Sequence, residues 1–203
     1  MSAFRRVLPL VTVVACGLAA CSSGDRPGNA TTGPGATSIT PPAPVTTTAP
    51  AIGPGVFGPG CDSLRGRLAA MADLPVVRAA AASFVLGEWV EAVEAAHVAD
   101  PLDGAPAVTV FAPVDAAFEA AGPAARQVNA LDYHVLDQRY DAAGLQRAGG
   151  VRTRDGGAGP LAFGGSGGQL TVNGVPVLCG NIPAKNATLF VIGTVLTPGT
   201  NAR

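Results

Sequence analysis

The amino-acid sequence predicts an α+β domain, and three observations carry that prediction. Ala- and Leu-bearing segments with helical periodicity fill residues 61–97, while strand signals dominate from residue 159 onward. Two short apolar runs, Gln169–Val172 and Val175–Leu178, flank Asn173-Gly174, the dipeptide that supplies the positive φ angles of a two-residue hairpin turn. Thr188 to Leu196 is a nearly unbroken apolar run suited to a central strand. Helices first and strands later point to helices packed on one side of a sheet.

Taken in order, Cys61 to Ala72 and Pro75 to Ala82 read as helices, the second opened by a proline that suits a first helical turn. Between Phe84 and His97, Leu86, Trp89, Val90, Val93 and Ala96 recur at steps of three and four and form one apolar stripe. Glu88, Glu91 and Glu94 take other positions and form a solvated face. Trp89, a lone aromatic on that stripe, is expected in the core. Ala107 to Phe118 is a short apolar strand running through Pro113 into a helix start. Val114 cannot cap that helix, so the carboxylate of Asp115 is expected to serve its N-terminus instead. Gly159 to Phe163 is a further short strand, and Pro176 implies an unpaired edge on its arm of the hairpin.

The N-terminus reads as a targeting segment. Arg5 and Arg6 precede an apolar run from Val7 to Ala20, too short to span a bilayer, which needs about 20 apolar residues. It closes in Leu18-Ala19-Ala20-Cys21, which resembles a bacterial lipobox and implies cleavage before a lipidated Cys21; an ordinary secretory signal is the alternative. The expected organisation is a signal peptide over 1–20, a tether over 21–60, one domain over 61–198 and a tail over 199–203. Residues 22–60 hold mainly Gly, Pro, Thr, Ser and Ala and cannot supply a core. As a disordered tether they would reach between roughly 35 Å as coil and roughly 120 Å fully extended.

Cysteine arithmetic follows from this division. Cys16 is expected to leave with the signal peptide, and if Cys21 carries lipid, Cys61 and Cys179 remain, an even number in an oxidising compartment. They are expected to pair. Closing so long a loop stabilises by about 4–5 kcal/mol in the chain-entropy model.

Composition narrows the partners. Residues 61–198 carry nine basic and thirteen acidic side chains, which argues against nucleic acid, a ligand bound through a basic face. The whole chain has twelve Arg and one Lys and is rich in Ala, Gly, Pro and Val, a bias that suggests a GC-rich genome such as an actinobacterial one. No paired C-x-x-C is present and only His97 and His134 are available, so neither a metal nor a cofactor is expected. Gly164-Gly165-Ser166-Gly167-Gly168 matches G-x-S-x-G formally, but a strand and not a helix follows it, and no acid or His comes after Ser166. His134 beside Asp132 or Asp137 has no nucleophile placed near it. An enzyme is not expected.

With these elements in place, Thr109 to Phe118 resembles the first signature motif of the fasciclin (FAS1) domain and Tyr133-His134-Val135 resembles the second. Asn186 to Pro198 is similar to its closing strand. Closer still is the resemblance to the fasciclin-type surface and secreted antigens of mycobacteria. There too a Cys precedes the first helices, and the hairpin ends in Leu-Cys-Gly, here Leu178-Cys179-Gly180. The resemblance implies a structural role for Thr109, Phe111, Pro113, Asp115 and Phe118, and it makes Tyr133 and His134 candidate binding residues. For that pair, core packing is the favoured alternative. Two departures stand out. Only fourteen residues separate Phe118 from Tyr133, so the intervening helices are cut down, and Gly193 stands where relatives often carry an integrin-linked Asp. The implied function is a membrane-anchored or shed adhesion module that binds an envelope or host protein or glycan. The alternative is a carrier of a small apolar ligand in a pocket between the helices and the sheet.

Overall fold

The computed structural model describes residues 55–165 and 169–199. The expected signal peptide, the lipidation site Cys21, most of the tether, Ser166 and all but the first residue of the tail lie outside the described residues. Packing begins ahead of the boundary expected at Cys61. Val56 is buried, and Phe57 pairs with Gly180 through both backbone hydrogen bonds, 3.2 and 2.8 Å.

A 3-10 turn at Pro59–Ser63 leads into α1 (Leu68–Ala72), α2 (Val76–Ala81), α3 (Gly87–Ala95) and α4 (Ala99–Gly104). β1 (Val108–Pro113) is followed by α5 (Asp115–Ala121), a 3-10 turn at Pro123–Arg126, α6 (Val128–Tyr133) and a two-residue β2 (Val135–Leu136). Then come α7 (Ala142–Ala148), β3 (Gly150–Arg152), β4 (Pro160–Gly164), β5 (Thr171–Val172), β6 (Val175–Pro183) and β7 (Ala187–Ile192). The strands form one sheet in the order β2-β1-β7-β6-β5-β4-β3, with β1 and β7 parallel and the other pairs antiparallel. Arg154 N–H, just past β3, donates to Val135 O in β2 at 2.8 Å, so the two outer strands of the sheet curl toward each other.

Side chains alternate along a strand, so the two central strands serve two cores. Val108, Val110, Ala112, Ala187, Leu189 and Val191 face the helices, where Leu86, Trp89 and Val93 meet them. Phe111, Phe190 and Ile192 point the other way, into the curl of the sheet, against Tyr133, Leu161, Phe163 and Val172. The expected α+β architecture, helices packed on a sheet, is the observed one.

Several elements differ in detail from expectation, each for a local reason. The third helix starts at Gly87 and not Phe84, which is 77% exposed and lies under the Arg67 guanidinium, 3.6 Å from its ring centre. It ends in a Schellman motif: His97 takes φ 58°, its N–H donates to Glu94 O, and Val98 N–H donates to Val93 O. α4 falls where no element is expected from the sequence, and its Pro101 lies in the first turn, where a missing N–H costs little. β7 stops at Ile192, opposite Pro113 where β1 ends, four residues short of the expected end at Leu196. The hairpin turn is as expected, with Asn173 at φ 48° and Gly174 at φ 79°. Pro176 faces Thr171 across it, and the ladder to β7 opens only at Val177, so the missing N–H meets no strand.

Candidate interaction surface

The first motif builds the seam of the sheet. The Thr109 hydroxyl donates to Gln138 O and accepts from Tyr140 N–H, both at 2.8 Å, fixing the chain that leaves β2. Phe111 stacks against Phe190 and Phe163, with ring centres 5.2 and 5.8 Å apart. Pro113 closes the parallel ladder opposite Ile192, and Val114 N–H donates to Ile192 O just beyond it. Asp115 does not cap its own helix. Its Oδ1 accepts from Glu88 N–H at 2.8 Å, so the carboxylate instead holds the first turn of α3. Phe118 is fully buried between these elements.

The second motif straddles two elements. Tyr133 ends α6, His134 follows it at the C-terminal cap, and Val135 opens β2. Both candidate binding side chains are buried, Tyr133 at 0% and His134 at 1% exposure. The Tyr133 hydroxyl accepts from Asn173 Nδ2 at 3.0 Å, while Asn173 Oδ1 accepts from Ala162 N–H at 2.8 Å. His134 Nδ1 lies 2.7 Å from Ala130 O, and Nε2 accepts from Leu196 N–H at 2.8 Å. That pattern fixes a neutral ring protonated at Nδ1. Burial lowers its pKa to about 4, opposed by the bond to Ala130 O. Neither side chain can touch a partner directly. They join α6, β2, the hairpin turn and the segment after β7.

Polar side chains that sequence reasoning passed over complete the frame. Asn186 Oδ1 accepts from Val76 N–H at 3.0 Å, and its Nδ2 donates to Leu102 O and Ala105 O at 2.8 and 3.0 Å. Asp103 Oδ1 accepts from Val77 N–H at 2.7 Å. Both side chains satisfy the free N–H groups at the start of α2 from far along the chain, where no local cap exists. Cys61 and Cys179 form a disulfide, with Cα atoms 4.8 Å apart. In the Leu178-Cys179-Gly180 run the glycine makes room for an aromatic ring, since a Cβ there would come within 2.5 Å of the Phe57 side chain.

The described surface includes a pair of clefts of similar size. One, of about 290 Å³, lies between α6 with its preceding turn and the segment after β7, lined by Ala124, Ala125, Ala130, Leu196, Pro198 and Asp155 among others. The other, about 330 Å³ and more polar, includes Gly55, Arg139, Asn181 and Thr188. Arg139 there is committed to the carbonyls of Ala184 and Ala187. The interface between helices and sheet, where a ligand chamber was the alternative expectation, is filled by the first core. Glu91 and Glu94 lie exposed and Glu88 pairs with Arg126. Among the described residues no group of three or more His, Cys, Asp or Glu is arranged to hold a metal ion.

Comparison with known proteins agrees with this geometry. The fasciclin domain profile matches residues 85–198. The chain is 32% identical, over 93% of both lengths, to the cell surface glycolipoprotein MPB83 of Mycobacterium bovis and equally to MPT83 of Mycobacterium tuberculosis. It is also 32% identical to protein sll1483 of Synechocystis over 62% of this chain and 74% of that one. The fold is shared with a FAS1 domain pair from the insect cell adhesion molecule fasciclin I, at TM-score 0.51 and 14% identity. That match covers 64% of this chain and 53% of the pair, so the chain spans about half the length of that structure.

Proposed function

Since this chain belongs to the fasciclin domain family, we propose that it is a non-catalytic interaction module of the cell envelope, anchored outside the membrane by lipid on Cys21. The observation that carries this is the extent of the likeness to the cell surface glycolipoproteins. A match over 93% of a 203-residue chain leaves too few residues outside it to begin beyond Cys21, so it takes in the lipobox-like run as well as the domain. Among the described residues no helix is long and apolar enough to cross a membrane. The non-catalytic part rests on the site itself. His134, the one buried imidazole, is occupied on both nitrogens by backbone groups and presents neither to a substrate.

Intact-mass measurement of the membrane-extracted protein tests the anchor, with a diacylglyceryl thioether on Cys21 as the expected result. Cys21→Ser should release a folded protein into the medium; a variant that stays with the membrane contradicts the anchor. Photocrosslinking in living cells tests the module, with one reproducible partner expected. Links that merely follow protein abundance overturn it.

A further inference from the structure

The segment that is short in this chain, between Phe118 and Tyr133, supplies most of one wall of the 290 Å³ cleft, and four of its lining residues there are alanines: Ala121, Ala124, Ala125 and Ala130. The opposite wall is Val195 to Pro198. One imidazole ties the walls together, because His134 bonds Ala130 O on one side and Leu196 N–H on the other. The cleft is therefore held open by a buried, fully paired group, which lowers the ordering cost of binding.

Size and charge restrict what the cleft can hold. At about 290 Å³ it falls just below the roughly 300–1,000 Å³ of small-molecule pockets, a size suited to one inserted side chain. The lining is mostly apolar, and Val128, between the lining residues Gln127 and Asn129, extends that character outward at 43% exposure. The charge at the edge is negative. Asp155 lines the cleft and has no ion-pair partner among the described residues, Asp132 lies within its electrostatic reach, and the nearby Arg154 is bonded to Asp137 at 2.8 Å.

We propose that this cleft is the docking groove of the module and receives an extended segment of a partner protein that inserts one aliphatic side chain and sets an adjacent Arg or Lys against Asp155. The inference rests on the reading of the chain as an interaction module. The burial of Tyr133 and His134 then has a function: they shape a surface that they do not reach.

The test uses the full chain with Cys21→Ser, labelled for NMR, titrated with the blocked peptide acetyl-Gly-Leu-Arg-Gly-amide. Shifts should centre on Ala124, Ala130, Leu196 and Asp155. Replacing the peptide's Leu by Ala should weaken binding by about thirtyfold, from some 2 kcal/mol of lost apolar burial. Replacing its Arg by Glu should weaken it by about tenfold, and Asp155→Asn should abolish that second preference while leaving the first. Ala124→Trp, at an exposed position, should remove binding altogether. No shift at millimolar peptide, shifts centred elsewhere, or equal binding of the three peptides each overturns the groove. Crosslinks in cells to one partner through another face would also overturn it while leaving the interaction module standing.

Discussion

β1 and β7 are buried on both faces, yet the two cores they divide are built by different means. The helix side is mostly small and aliphatic residues, many of them alanines, with Trp89 and Phe118 as separate rings among them, and it ties its short helices down with distant groups: Asn186, Asp103, Asp115 and the Cys61–Cys179 disulfide. The sheet side has one set of large interlocking rings, Phe111, Phe163, Phe190 and Tyr133, with the paired side chains of Asn173 and His134 at its border. The difference follows from element length. Helices of five to nine residues are marginal alone, so their ends need outside partners. Strands in a curled sheet satisfy their backbones mutually and can spend their side chains on packing.

The disulfide should show the contrast at its largest. It spans 118 residues, and removing it with Cys61→Ala and Cys179→Ala should cost about 5 kcal/mol in the chain-entropy model. Hydrogen exchange should show α1, α2 and the turn at Pro59–Ser63 opening first, with β1 and β7 still protected. Equal loss of protection on both sides would mean that the two cores unfold as one unit. Phe111→Ala attacks the other side. It removes the ring between Phe163 and Phe190 and should lower stability by about 4 kcal/mol in urea titration. A loss below about 1 kcal/mol would mean the aromatic cluster closes over the gap and is not a jigsaw.

His134 gives the sheet side a pH dependence. Its folded pKa is about 4 against an ordinary 6.5, so the fold binds only the neutral ring. That stability is fully present above pH 6.5 and is lost as pH falls toward 4, some 3 kcal/mol in all. Asp132 acts in the opposite sense. Its carboxyl is raised chiefly by burial, so its cost at neutral pH is relieved on acidification. Denaturation at a series of pH values should show His134→Gln less stable at pH 7 but with a shallower fall below 6.5. An unchanged slope would place the acid sensitivity elsewhere.

Much of the sheet side could be read from the sequence, and less of the helix side. Asn173-Gly174, Pro176 and the apolar run into Ile192 carry local signals, and each marks what the structure contains there. α7 had such signals too, since Asp141 caps it by accepting from Gly144 N–H and Gly149 ends it at φ 66°, and they went unread. The caps of α2 were beyond reach. Val76 and Asn186 are 110 positions apart, and no periodicity links a helix start to a loop that far away. The same holds for the cleft: its walls meet through His134 and Leu196, 62 positions apart. Residue chemistry suggested that Tyr133 and His134 belong to the core, but not what surface they support.

Asp115 is the smallest and most direct probe of the contrast. It sits at the start of α5, where a carboxylate favours the helix dipole, and its Oδ1 also holds Glu88 N–H in the first turn of α3. Asp115→Asn keeps an acceptor oxygen and removes the charge, whereas Asp115→Ala removes both. If the distant tie matters most, Ala should cost about 1 kcal/mol and Asn clearly less. If the charge at α5 matters most, the two variants should lose the same few tenths. The helix side is held by many such ties, so the first outcome would support reading it as an assembly of remote caps. The second would return Asp115 to the local role that sequence alone assigns it.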